Sequence, residues 1–234
     1  MTDRRSFLKL AAAAGPASLA AACGWDGGNA LRPSLLTISR FNDWVGERVL
    51  SASGRLAPTY DAAERTPRLP SYFISRMTPT LQDPAAWRLR VDGLVRAPLA
   101  LTLDDLGAMP RVSYTVKHHC VEGWTAIASW HGVPVAAVAE RCGLLPAARY
   151  VRFASFDSGY ANGWDLASAM HPQTILAYGM NDQPLPAAHG APLRVYSPLK
   201  LGYKLTKYVV SLTFTDTRPG GYWEDQGYPW FAGL

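Results

Sequence analysis

Cysteine is scarce in this chain: three residues in 234, Cys23, Cys120 and Cys142. No Cys-x-x-Cys-His run is present, so a covalently attached c-type haem is excluded. Charge is thin as well, with 18% Asp, Glu, Lys and Arg against 48% apolar residues. That is an ordinary globular composition, neither disordered nor a repeat array, and no internal repeat is visible. The net charge is +5, and setting aside residues 1–22 removes Arg4, Arg5 and Lys9 against Asp3 and leaves +3. With no basic run interleaved with aromatics, nucleic acid is not an expected partner. Eight Trp and eleven Tyr are many for this length and suit either a large core or a deep pocket.

The first residues carry an address. Thr2-Asp3-Arg4-Arg5-Ser6-Phe7-Leu8-Lys9 precedes an apolar stretch to Ala22 that is too short to span a bilayer securely and ends in small residues. Two arginines before such a stretch resemble a twin-arginine export signal, which carries proteins already folded. Folded export is needed where a cofactor is inserted in the cytoplasm, so residues 1–22 predict a tightly bound cofactor and a periplasmic or cell-envelope location. Leu19-Ala20-Ala21-Ala22-Cys23 resembles a lipoprotein cleavage site, with Cys23 as the lipid anchor, against simple cleavage in the same alanine run.

Residues 23–70, rich in Gly, Pro, Arg and Ser with weak periodicity, read as a tether followed by irregular structure packed on a domain at 71–234. Strands are predicted at Trp87–Val91, Val112–Val116, Tyr150–Ser155, Thr174–Met180, Leu193–Tyr196 and Lys207–Thr215. Helices are expected at Leu101–Met109, Pro134–Cys142, where Gly143 caps the end, and Leu166–Met170. Strands dominate without βαβ alternation, which argues for an α+β fold with mixed sheets.

If Cys23 belongs to the leader, Cys120 and Cys142 remain. They could pair in an oxidising compartment, but Cys142 sits in a helix's last turn and reads as a buried small hydrophobe. Cys120 ends a strand and enters the turn His118-His119-Cys120-Val121-Glu122-Gly123-Trp124. Strand ends aim side chains into clefts, and a thiolate is a soft ligand for a redox-active metal. His118 and His119 are alternative zinc or copper ligands, although strand neighbours point to opposite faces. A nucleophilic Cys120 with a histidine base is a further reading.

Four segments sharpen this: Cys120-Val121-Glu122-Gly123-Trp124, Trp130-His131-Gly132-Val133-Pro134, Leu176-Ala177-Tyr178-Gly179-Met180-Asn181 and His189-Gly190-Ala191-Pro192-Leu193-Arg194. With Pro198-Leu199-Lys200-Leu201-Gly202-Tyr203-Lys204 and Lys207, over about residues 70–217, they resemble the sulfite oxidase family of molybdenum enzymes. The resemblance implies a mixed-sheet molybdopterin-binding domain holding one molybdenum and one pterin, with Cys120 as the protein's metal ligand. It further implies that His189, Arg194, Gly202, Tyr203 and Lys204 contact the pterin or its phosphate, and that Ser155 touches the cofactor. Phe73 and Ser75 lie in the segment resembling the family's first pterin-contacting stretch, where Ser75 and Met77 replace the Arg and His of many relatives. Asp157 and Tyr160 are candidates for the substrate face, with His118 and His119 beside them.

The arginine-lined anion pocket of sulfite oxidases is not recognisable, nor are a haem-binding N-terminal domain and an added C-terminal dimerisation domain. The resemblance is therefore to the single-domain bacterial type, which is expected to be monomeric. One such relative reduces methionine sulfoxide in proteins and is fed by a membrane haem protein. The expected activity is two-electron oxygen-atom transfer on a small sulfur- or nitrogen-containing oxide or an oxidised side chain, with a membrane haem subunit exchanging electrons. Rival readings are a non-catalytic envelope lipoprotein that keeps the fold and a Cys/His zinc or copper protein.

Overall fold

The computed structural model describes residues 28–51, 54–157 and 159–234, the side chains of 28–32, 50 and 51 excepted. The expectations for the signal at residues 1–22 and for Cys23 lie outside the described residues. The chain divides into two compact units, Met1–Asn42 and Asp43–Leu234.

One expectation is corrected before the main domain begins. Part of the segment read as a tether is a helix, α1 (Gly28–Ser51). Leu35, Ile38, Phe41, Val45 and Val49 recur every three or four residues, which is a helical stripe, and Pro33, the sixth residue, forgoes one backbone bond inside it. The surrounding Gly, Pro and Ser hid this period. Residues 54–70 are irregular apart from a 3-10 turn at Ala62–Glu64, and they pack by a bridge from Thr59 to Val116.

Within Asp43–Leu234, ten strands form two five-stranded sheets. β1 (Leu89–Gly93), β2 (Leu99–Leu101), β5 (Tyr150–Ser155), β6 (Ala161–Asp165) and β10 (Val209–Thr215) make one, in the order β2-β1-β10-β5-β6. β1 and β10 run parallel and the other pairs antiparallel, so the sheet is mixed. β3 (Val112–His119), β4 (Thr125–Pro134), β7 (Ile175–Met180), β8 (Gln183–Pro184) and β9 (Arg194–Tyr196) make the other, which is antiparallel throughout. The helices α2 (Leu103–Gly107), α3 (Val135–Cys142) and α4 (Leu166–Ala169) are short and scattered. The α+β mixed-sheet expectation is borne out.

Period explains most of this. α3 buries Val135, Val138, Ala139 and Cys142 on one face and ends where Gly143 turns left-handed at φ +66°. Thr102 caps α2 by accepting from the Asp105 amide. In β3, Val116 and His118 share the buried face, as a two-residue repeat demands, while His119 points the other way and is only half-buried. The core behind that face holds Trp130 and Tyr196, stacked at 4.2 Å.

Candidate active site

The β3–β4 hairpin presents the sulfur. β3 stops at His119, and the turn closes through the Cys120 amide donating to the Trp124 carbonyl (3.0 Å) and the Gly123 amide donating to the Cys120 carbonyl (3.1 Å). Cys120 is thereby half-buried on the wall of a cavity of about 500 Å³. Its thiol points to the Glu122 carboxylate (3.7 Å), which also accepts from Trp124 Nε1 (2.9 Å). Burial pushes the Cys120 thiol up, and the nearby Glu122 charge adds to this. The main influences on the sulfur among the described residues include no cation, and a bound positive charge would favour its thiolate form.

His118 lines the same cavity, stacked between Trp124 and Tyr196. Burial, then the Arg194 charge, lowers it to about 3, so it is a neutral imidazole and no general base for Cys120. Among the described residues, no group of three His, Cys, Asp or Glu side chains converges to hold a metal by itself.

A second wall is cationic. β9 begins with Arg194, which is 3% exposed. Its guanidinium donates to the His189 carbonyl (2.9 Å) and the Leu205 carbonyl (3.2 Å) and lies over the Trp130 ring at 4.8 Å. Among the described residues, its Nε has no hydrogen-bond partner. Burial lowers this arginine to about 10, an adverse environment for a charge left without a carboxylate partner. Lys207 stands beside it, donating to the carbonyls of Tyr72 and Ala188 (both 2.8 Å) and lowered to about 7 by burial and then by Arg194. His189, at the end of a 3-10 turn, is lowered to about 4 for the same two reasons. Among the described residues, neither Arg194 nor Lys207 enters a salt bridge. Gly202 lies against His118, and a Cβ added there would fall 2.9 Å from His118 Nε2.

The remaining lining comes from Phe73, the end of β5 and the C-terminal segment. Ser155 accepts from the Asp157 amide (2.9 Å), and both residues reach the cavity. Ser75 is not on the wall but donates its hydroxyl to the Asp157 carboxylate. Tyr160 donates to the Tyr203 carbonyl (2.6 Å) and Tyr203 to the Pro229 carbonyl (2.6 Å), with burial raising both phenols. Thus Phe73, Cys120, Ser155, Asp157, Tyr160, His189, Arg194, Gly202 and Tyr203 converge on one cavity.

Lys204 does not join them, which corrects its expected phosphate contact. Its side chain is fully buried, with its ammonium against the Gly163 carbonyl (2.8 Å) and the Glu224 carboxylate. Lys207 is the lysine on the cavity wall instead; its place in the cofactor-loop segment was the available signal. Tyr222, Trp223 and Tyr228 also line the cavity, and only the aromatic density of the C-terminal segment hinted at them.

The model of the oxidoreductase molybdopterin-binding domain matches residues 76–223, well over half of the chain. The chain belongs to this family. Family membership makes it an oxidoreductase that uses a molybdenum–molybdopterin cofactor. YedZ1 of Azospira oryzae, whose name provisionally assigns it as a protein-methionine-sulfoxide reductase subunit, is 41% identical over 98% of this chain and 87% of its own length. The protein-methionine-sulfoxide reductase catalytic subunit MsrP of Ralstonia nicotianae is 36% identical over 60% of this chain, which spans 47% of that relative. Among solved structures, the sulfane dehydrogenase SoxCD of Paracoccus pantotrophus shares the fold, with a TM-score of 0.56 at 23% identity over 59% of this chain and 40% of that one. No helix among the described residues of this molybdopterin-binding oxidoreductase is long and apolar enough to cross a membrane.

Proposed function

We propose that this chain reduces an organic sulfoxide to a thioether, with Cys120 as the protein's ligand to a molybdenum held by one pterin. The relatives named for methionine-sulfoxide reduction support the substrate class. The observation that carries the site is the buried Arg194 guanidinium, without a carboxylate partner and with Nε unsatisfied, on the same cavity as the Cys120 sulfur. A cofactor bearing a phosphate at one end and a metal at the other answers both features. Arg194, Lys207 and His189 would hold the phosphate, and Gly202 keeps the backbone clear for close approach. Phe73, Ser155 and Tyr203 would pack on the pterin, and Ser75 would hold Asp157 in place.

When bound, the cofactor supplies two-electron oxygen-atom exchange. The sulfoxide consumes two electrons and two protons and yields a thioether and water. The electrons arrive singly from a membrane haem partner, and Asp157 and Tyr160 line the substrate side. Cys120 tunes the metal's potential, and the surrounding apolar wall excludes water. Residues 1–22 would export the folded, loaded protein to the periplasm, with Cys23 available as a lipid anchor and residues 71–234 as the catalytic domain, working as a monomer.

Cys120→Ser in protein matured in a pterin-producing host tests this. Molybdenum per protein should fall sharply or its paramagnetic signal should change, with sulfoxide turnover lost. Unchanged metal content, signal and turnover would sink the assignment and favour the non-catalytic reading.

A further inference from the structure

Beyond the cofactor cradle, the C-terminal segment builds a wall with no part in metal or phosphate binding. Tyr222 stacks on Tyr160 (ring centroids 5.6 Å, 29° between planes), Trp223 meets Tyr222 edge-on at 5.1 Å, and Tyr228 closes against Trp223 at 5.0 Å and Tyr203 at 5.3 Å. All five rings line the cavity. The hydroxyls of Tyr160 and Tyr203 are engaged by carbonyls, so these two residues offer ring surface rather than donors. Tyr228 is 38% exposed whereas Arg194 is 3% exposed, so the ring that ends this wall is open to solvent and the guanidinium is not.

This rim is held in place. The Tyr222 amide donates to the Ala161 carbonyl (2.9 Å), and the buried Lys204–Glu224 pair fixes the following turn. Lys200 donates to the Phe231 carbonyl (2.8 Å), and the Leu234 amide donates to the Leu199 carbonyl (3.0 Å). Lys204, displaced from the phosphate role, is in this arrangement a positioning residue. The family match ends at residue 223, so Glu224, Tyr228 and Phe231 lie past it.

We propose that Gly220–Leu234 is the substrate-selecting wall, on which Trp223 and Tyr228 bind the alkyl arm of the sulfoxide. The proposal rests on the sulfoxide reading above. The methylenes flanking the sulfoxide gain from ring faces and edges, whereas a small inorganic anion such as sulfite has no apolar surface to bury there.

The test uses the molybdenum-loaded enzyme with Trp223→Ala, Tyr228→Ala and the conservative Trp223→Phe. Two substrates are compared: N-acetyl-methionine sulfoxide amide, which has an arm, and dimethyl sulfoxide, which has none. Binding of the unreactive N-acetyl-methionine sulfone amide is measured by calorimetry. The alanine variants should raise KM for the long substrate and Kd for the sulfone about five- to ten-fold each, the worth of one ring contact. Their kcat, their molybdenum content and their KM for dimethyl sulfoxide should stay at wild-type values, and Trp223→Phe should recover most of the loss. Unchanged sulfone affinity, or equal shifts for both substrates, overturns the wall while leaving the sulfoxide reading intact. A loaded wild type that reduces neither sulfoxide and binds no sulfone overturns both.

Discussion

Replacing Arg194 with methionine separates a cofactor cradle from an ordinary buried cation. In the cofactor-free protein, burial holds the guanidinium at about 10 against an ordinary 12.5. At 1.36 kcal/mol for each tenfold, that gap is about 3 kcal/mol against the charged form. On the other side stand two hydrogen bonds from a charged donor to the carbonyls of His189 and Leu205, about 1.5 kcal/mol each, and the contact over Trp130, about 1 kcal/mol. The contributions nearly cancel. Metal-free Arg194→Met should therefore melt within about 4 °C of the metal-free wild type, since about 1 kcal/mol moves a domain of this size by about 2–4 °C.

The loaded protein should respond quite differently. A charge-assisted hydrogen bond to a phosphate is worth about 1.5–3 kcal/mol, so pterin retention should weaken roughly 10- to 150-fold. Thermal melts of protein from a host unable to make the pterin give the first number. Molybdenum per folded protein after extensive dialysis, from a pterin-producing host, gives the second. A metal-free variant that melts more than about 10 °C lower while the loaded variant keeps its molybdenum would show a purely structural arginine, and the phosphate argument would fail.

Three further expectations follow the same geometry. Gly202→Ala puts a methyl 2.9 Å from His118 Nε2, so about 1–3 kcal/mol of overpacking should lower molybdenum content in protein that still folds by circular dichroism; full occupancy would refute the close approach. Lys204→Met leaves the Glu224 carboxylate buried and unpaired, roughly 3–5 kcal/mol, and should drop the melting temperature well beyond the effect of Lys204→Met with Glu224→Leu; equal melts for the single and double variants would deny the pairing. In metal-free protein, Lys207 and His189 are bases whose folded values, about 7 and about 4, lie below their ordinary 10.5 and 6.5. The unfolded chain then binds more protons over about pH 4–6.5 and again over about pH 7–10.5, so stability should rise with pH in both windows, and bound cofactor should flatten the upper one. Urea midpoints at pH 5, 6, 7 and 9 read this directly, and a flat metal-free profile would refute it.

Elements with one clear period were legible in the sequence. Val112–Val116 alternates and delivers Cys120 to a cavity wall; Tyr150–Ser155 is read to the residue. β4 was missed because it lies between β3 and β7, buried along most of its length, which erases the alternation. β6 was missed because Asn162, Gly163 and Asp165 are polar or small yet buried: the Asn162 amide nitrogen donates to the Tyr203 carbonyl and the Thr206 hydroxyl, and the Asp165 carboxylate accepts from the Ser168 amide and the Lys200 ammonium. Lys204 illustrates the limit for sites. Its residue type and loop suited a phosphate, but its partner Glu224 is twenty positions away, and nothing local in the sequence announces that pair.

The energetic character of the cavity also connects the site to the chain's first residues. Arg194, Lys207 and His189 are each driven by burial toward their neutral forms, and Arg194 and Lys207 find no carboxylate at salt-bridge distance among the described residues. An anion bound among them relieves all three at once, because its charge raises each depressed value toward the ordinary one. Binding the anion would then stabilise the folded protein in proportion to how tightly it is held. A protein built this way gains from acquiring its cofactor where the cofactor is made. Export of the already folded chain, as proposed above for the Arg4-Arg5 segment, would preserve that gain.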